Sequence, residues 1–248
     1  MIIVTSIKRQ QNRNIYKVLF SINIMEIETN YIKMKVPHEG GNLSFQHPAF
    51  KGTYENVAEQ IDKAELKRPT SPEAASLVYN SFQNKGGKYE SEIIKILKDA
   101  WFWEFTGNLY LPKSNEEINN GVILEHNPKI ENGKLIMDKS SLIKRLKEND
   151  PLLKFVPFGY KTEKQSSLEL SRNPYVVARY GEEGAEKIAK VADKYPNKPY
   201  VWSFDSVDEE IVRMSALGRY WNGVGSLSVN GNSWDDDLLG HAFGVCGK

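Results

Sequence analysis

The hydrophobic period of this chain changes at residue 101. Before that point, three successive segments repeat their apolar residues at helical spacing. The first carries Tyr54, Val57, Ala58, Ile61 and Ala64. The second opens on Ser71-Pro72-Glu73, an N-cap type followed by a proline tolerated in the first turn and an early acid that suits the helix dipole. Its apolar face is Ala75, Val78, Tyr79 and Phe82, and Gly86-Gly87 stops it. A broad apolar face of Ile93, Ile94, Ile96, Leu97 and Ala100 marks the third. Then Trp101, Trp103 and Phe105 alternate with Phe102, Glu104 and Thr106, which is a strand pattern. Val122 to Leu124 and Leu135 to Met137 flank Asn132-Gly133, a strong short hairpin signal. Ser140 or Ser141 is expected to cap a short helix through Leu142, Ile143 and Leu146, and Phe155-Val156-Pro157-Phe158 reads as extended. Asn173-Pro174 opens a further helix that Gly181 closes. An amphipathic helix over residues 182–195 follows, with Ala185, Ile188, Ala189 and Ala192 inward. Strand-like text returns at Tyr200-Val201-Trp202-Ser203-Phe204 and at residues 211–217. Helices early and short strands late place the chain in the α+β class.

Composition narrows the function classes. A chain of 248 residues suits one large domain, or one domain with an added segment. The turn-like Val36-Pro37-His38-Glu39-Gly40-Gly41 divides residues 1–36, read as an N-terminal tail or edge segment, from a main domain over 37–248. A net charge of +1 lacks the basic excess of a nucleic-acid binder, so no nucleic-acid partner is expected. No run of about 18 apolar residues exists, hence no membrane-spanning helix is expected. Within residues 1–25, Val18-Leu19-Phe20 leads into Ile22 and Ile24 but is interrupted by Ser21 and Asn23. A polar tail leading into an edge strand is therefore favoured over an export signal. Lys (25 residues) outnumbers Arg (8), and Asn (20) is abundant, a skew that follows an AT-rich genome.

Familiar chemistry is scarce. The phosphate-loop, nucleophile-elbow and zinc-helix motifs are all missing. Gly223-Val224-Gly225 lacks the third glycine of a dinucleotide fingerprint. His38, His47, His126 and His241 form no helical pair, so neither a metal nor a cofactor is expected. Asp235-Asp236-Asp237 lacks calcium-loop spacing and reads as a solvated acidic loop. Cys246, the one cysteine, has no internal disulfide partner and reads as a packing residue in an apolar terminal strand. Asp205, Asp208, Glu209 and Glu210 offer an acid–base pairing of low specificity, and Lys144, Arg145 and Lys147 read as a solvated helix face.

The most specific text lies near the C-terminus. Ala216-Leu217-Gly218 precedes Trp221-Asn222, Asn232-Ser233 precedes Trp234, and Gly240-His241-Ala242-Phe243-Gly244-Val245 closes the stretch. Large aromatics among Ser, Asn and Gly suit a binding surface. The segment resembles the C-terminal part of C-type-lectin-fold proteins. It is closest to the variable proteins of diversity-generating retroelements and more distantly similar to formylglycine-generating enzymes. Gly218-Arg219-Tyr220-Trp221 departs from the more usual Gly-Gly-x-Trp. The resemblance implies a C-type-lectin-like fold, with two or more helices packed on short antiparallel strands. It also implies that adenine misreading of Asn-type codons scatters many residues over a display surface, in an archaeal setting by the AT-rich composition. Such misreading cannot produce Lys, Glu, Gln, Met or Trp. The first four types make up 58 residues of the chain, yet none occurs from Ser215 to Gly247. On composition alone that would occur about once in several thousand draws.

The resemblance implies a ligand-binding region over about 205–246, with a diversifiable surface at about 219–239. Its expected ligand-contacting positions are Arg219, Tyr220, Asn222, Val224, Ser226, Ser228, Asn230, Asn232, Asp235, Asp236 and Asp237, with Trp221, Trp234, Phe243 and Val245 as core anchors. The expected partner is a macromolecular or surface ligand, met at the cell surface or outside the cell if the chain is a binder, with a cytoplasmic location otherwise, and no catalytic residue is assigned. Alternatives are an enzyme on a related formylglycine-generating-type fold, which the single cysteine disfavours, and an uncharacterised structural α+β protein. An enzyme would be sought around Asp205, Glu209 and His241.

Overall fold

The computed structural model describes residues 25–28, 31–131, 134–219, 225–233 and 239–247. An antiparallel three-stranded sheet comes first: β1 (Met25–Glu28), β2 (Tyr31–His38) and β3 (Gly41–His47). Glu39 at φ 43° and Gly40 at φ 75° make the two-residue turn between β2 and β3, in the left-handed geometry that tight hairpins need. β2 runs straight through the expected boundary at 36/37. Its Met34 and Val36 are buried in the main core, so residues 31–36 belong to the fold and are not a tail. The expectations about an export signal over residues 1–25 fall almost wholly outside the described residues.

The short strand β4 (Phe50–Gly52) leads to the three expected helices, α1 (Tyr54–Lys63), α2 (Ser71–Gln83) and α3 (Lys88–Asp99). Thr53 caps α1 by accepting from the Asn56 amide. At α2 the cap is Thr70 rather than Ser71, and Glu73 accepts from both the Thr70 N–H and hydroxyl at 2.8 Å. Ser71 is thereby released to point inward.

A mixed nine-stranded sheet forms the body. Its spine is β5 (Trp101–Leu111), paired along one edge with β12 (Ile211–Arg219). The other edge of β5 is shared. Its start pairs with β14 (Gly240–Ala242), and its second half with β6 (Gly121–His126). β9 (Leu153–Pro157) lies outside β6, and β4 lies outside β14. Beyond β12 come β13 (Leu227–Ser233), β11 (Tyr200–Trp202) and the two-residue β10 (Glu163–Lys164). The β11–β13 and β14–β5 pairings are parallel, which corrects the expectation of antiparallel strands alone. Parallel neighbours need crossovers, and the later helices supply one of them.

Those helices are α4 (Lys139–Lys147), α5 (Ser167–Arg172) and α6 (Pro174–Ala192). α6 contains Gly181 at φ 72° and ψ 168°, so the two expected helices meet at a kink on that glycine. Asp138, not Ser140 or Ser141, caps α4 by accepting from the Ser141 amide at 2.8 Å. Lys144 and Lys147 are joined there by Arg145, which is not simply solvated: it pairs with Glu125 and, at 2.8 Å, with Asp150. The expected hairpin is also re-partnered. β7 (Lys129–Glu131) pairs with β8 (Lys134–Ile136), while Val122 to Leu124 pair with β5 and β9. Asn127 at φ 56° turns the chain between β6 and β7. Asn132 and Gly133 themselves fall outside the described residues.

Both faces of the sheet are covered. Phe102, Val201, Leu217, Leu227 and Val229 pack under α2, α3 and α6. Across the sheet, Trp103, Phe105, Met214 and Ala216 pack under α1, and Leu109, Leu111 and Ile123 pack under α4. The protein is α+β, and no helix among the described residues is long and apolar enough to cross a membrane.

Candidate ligand-binding face and its buried support

The expected binding region begins on β12 and β13, which pair from Arg219↔Leu227 to Met214↔Ser233 with one bulge. Side chains alternate across these strands. Leu217, Leu227 and Val229 point to the face under α2, α3 and α6, so Ala216, Gly218, Ser228 and Asn230 point to the opposite face, where Ala216 packs under α1. On that second face the register sets small residues between aromatic ones. Tyr200, Ser228, Gly218 and Trp101 form one row, and Trp202, Asn230, Ala216 and Trp103 the next. Gly218 is required here, because a Cβ would meet the Trp101 ring at 3.2 Å and the Ala100 carbonyl at 2.9 Å. Trp202 is 41% exposed, with its ring centroid 5.7 Å from that of Tyr200.

Beneath these strands lies a polar stripe where a sheet core is usually apolar. The even-numbered residues of β5 from Glu104 on, namely Glu104, Thr106, Asn108 and Tyr110, have no exposed surface. α6 answers them with Tyr175, Arg179 and Tyr180, spaced to share one face. The five N–H donors of Arg179 all find acceptors. Nη2 donates to Glu104 and, at 3.1 Å, to the Ala216 carbonyl. Nη1 donates to the Asn230 carbonyl at 2.9 Å and to Tyr175 Oη at 3.3 Å, and Nε donates to Ser71 Oγ at 3.2 Å. Tyr175 Oη donates to Asn108 Oδ1 at 2.8 Å, and Asn108 Nδ2 donates to Ser215 Oγ at 2.9 Å. Tyr110 Oη donates to the Gly231 carbonyl at 2.8 Å. A Cβ on Gly231 would come within 1.7 Å of Tyr175 Oη, so glycine is what lets the phenol in.

The stripe therefore grips the backbone of β12 at Ala216 and of β13 at Asn230 and Gly231. Burial pushes the Glu104 carboxyl up from its ordinary value, against the Arg179 guanidinium and the Tyr180 and Ser71 hydroxyls, which favour the ionised form. Ser71 Oγ also lies 3.0 Å from Thr106 Oγ1, whose other neighbour is His126 Nδ1 at 2.9 Å. Burial holds His126 down at about 4. Glu104, Arg179, Tyr175, Tyr180, Asn108 and Ser71 are all fully buried, which suits a bracing role, and His126 is half-buried.

Neither a family model, nor a curated protein, nor a solved structure matches this chain.

The expected contact positions divide into three groups. Arg219 ends β12 by its backbone. Its side chain, Tyr220, Asn222, Val224 and Asp235 to Asp237 fall outside the described residues, as do Trp221 and Trp234. Ser226, Ser228 and Asn230 are buried, not exposed as a display surface requires, and Ser228 and Asn230 sit in rows between the larger aromatic residues Tyr200, Trp202, Trp101 and Trp103. Among the described residues, Ser226 Oγ and Ser228 Oγ have no hydrogen-bond partner. Asn232 is half-buried, and its side-chain oxygen accepts from Arg213 Nε at 3.0 Å. Phe243 and Val245 are buried anchors as expected.

The remaining candidates stay apart. His38 bonds Ser76, His47 bonds Glu92, and His126 bonds Thr106. Among the described residues, no group of three or more His, Cys, Asp or Glu converges on a metal position. Asp205 and Glu209 are exposed, and Glu210 pairs with Lys139 at 2.8 Å. Cys246 is half-buried, and its amide donates to the Ser44 carbonyl. The Glu104–Arg179 pair escaped the sequence reading. A signal for it exists: Glu104 interrupts an aromatic strand, and Arg179 falls on the inward face with Tyr175.

Proposed function

We propose that this chain is a ligand-binding display protein on a C-type-lectin-type scaffold, with its diversifiable surface within residues 219–239. What carries the reading is the bracing of β12 and β13 from beneath: carbonyls at Ala216, Asn230 and Gly231 are fixed by buried side chains whose hydrogen bonds come from α6 and β5. A surface whose side chains change from copy to copy needs a backbone that does not. Three helices, α1 to α3, precede β5, of which α1 and α2 would be the two that the lectin-type order supposes. The protein works by complementarity, without chemistry, and its ligand is a macromolecule or surface met at or outside the cell envelope.

The test is to sequence the 3′ end of the gene and its downstream DNA from many cells of the source population. Codons 219, 220, 222, 224 and 235–237 are expected to vary. Codons for Ser228, Asn230 and Gly231, inside the sheet, are expected to hold, together with Trp221, Trp234 and Phe243. A near-copy of the segment differing at adenines is expected nearby. An invariant stretch with no such copy sinks the proposal.

A further inference from the structure

A cleft of about 570 Å³ opens where α3 meets the β4–β14 edge of the sheet, within the size range of small-molecule sites. Lys51 of β4 and His241 of β14 line it and are direct cross-strand partners. Their side chains therefore stand side by side on one face. A lysine opposite a histidine places like charges together whenever the imidazole is protonated, which costs stability unless an anion sits between them. Among the described residues Lys51 has no carboxylate partner. His241 Nδ1 is buried and has no hydrogen-bond partner, a costly state for a polar atom.

The carboxylates across the cleft are already engaged. Glu92 Oε2 lies 2.8 Å from His47 Nε2, and Asp99 pairs with Lys95 at 2.5 Å. What α3 otherwise presents to the cleft is apolar, Ile96 and Ala100, with Ala49 on the facing side. Lys95 also lines the cleft but is paired with Asp99, so the Lys51 ammonium, one imidazole and apolar walls match a singly charged organic anion better than a doubly charged phosphate, which favours several cations or an arginine fork.

We propose that this cleft binds a small organic carboxylate, its oxygens held by Lys51 Nζ and the His241 imidazole and its apolar body against Ile96 and Ala100. Both polar residues lie outside 219–239, so the site is constant whatever happens in that stretch, and it does not rest on the display reading.

His241 reports on occupancy. Burial first, and then the nearby Lys51 ammonium, hold its imidazole below the ordinary range, and Glu92 opposes them weakly. A carboxylate beside the imidazole must raise it. The experiment follows the His241 ring by NMR across a pH titration of the full chain, using butyrate as probe. Chloride at equal ionic strength and inorganic phosphate are the comparators. His241→Gln assigns the resonance, and His38, His47 and His126 serve as internal controls. Butyrate is expected to raise the His241 midpoint saturably while chloride does not, with roughly tenfold weaker binding in Lys51→Gln, the loss of one charge-assisted hydrogen bond. Lys51 is exposed, so that variant keeps the fold, and unchanged spectra of the other histidines verify it. A butyrate response no larger than that of chloride, a response that survives Lys51→Gln, or a response to phosphate but not butyrate each overturns the proposal.

Discussion

A guanidinium with no exposed surface is tolerable only when every N–H has an acceptor, and Arg179 meets that condition through Glu104, Ser71, Tyr175 and two backbone carbonyls. Removing it strands the Glu104 carboxylate in the core. Arg179→Met is therefore expected to cost about 3–5 kcal/mol in urea unfolding. Pairing it with Glu104→Leu is expected to recover a good part of that loss, because the uncompensated charge leaves with it. If the double variant is no more stable than the single one, the ion pair is not the source of the effect. His126 makes a pH prediction. Its folded value is about 4 against an ordinary 6.5, so between those limits the unfolded chain holds the extra proton. Stability is full above about pH 6.5 and falls as the pH drops toward 4, by about 3 kcal/mol in all. Burial acts on His241 in the same direction. His126→Asn keeps a polar group near Thr106 and is expected to flatten the pH 4–6.5 slope of unfolding free energy. A slope as steep as that of the parent would show the imidazole to be uninvolved.

At the scale of single elements, the kink in α6 is the sharpest case. Gly181 sits at φ 72° and ψ 168°, a region open essentially to glycine, and a Cβ there would meet no atom within 4 Å. Crowding thus plays no part, and only the backbone opposes a side chain. Gly181→Ala is expected to lower stability by about 1–3 kcal/mol, read as an earlier urea midpoint with an unchanged slope. If stability is unaffected, the first half of α6 can reorient freely. The kink matters because it lets Tyr175 and Arg179 in the first half point at β5 while Ala185 and Ile188 in the second half pack into the main core. Helices α1 to α3 were legible in the sequence, since their apolar faces repeat at 3.6-residue spacing. The full length of β5 was not. Its second half alternates Gly107, Leu109 and Leu111 with Thr106, Asn108 and Tyr110, so one of its two buried faces carries polar side chains. Hydrophobic pattern cannot find a polar core. Only the arrival of Tyr175 and Arg179 from some seventy residues away makes those side chains satisfiable.

Across the whole molecule, the end of the chain closes the structure. β14 slots between β4 and β5, the Lys67 and Val245 amides and carbonyls exchange hydrogen bonds, and the Cys246 amide reaches Ser44. Phe243 is fully buried, with its ring stacked beside Phe102 and near His47. Phe243→Ala is expected to cost about 3–5 kcal/mol by the transfer and cavity terms of a buried ring. Deleting residues 240–248 is expected to abolish cooperative unfolding altogether, because it opens edges on β4 and β5 and uncovers the core beneath α3. A truncated chain that melts like the parent would overturn that account. The sequence by itself determined the class of elements, the apolar helix faces, the apolar anchors Phe243 and Val245, and a C-terminal stretch of unusual composition, because period and composition are local properties. Tertiary structure alone decided that residues 31–36 join the core, that Ser226, Ser228 and Asn230 face inward, that Lys51 stands opposite His241, and that Arg179 clamps β12 and β13. Each of these depends on which strands become neighbours. Strand neighbours are chosen by the burial of whole faces at once, a long-range sum that no window of sequence contains.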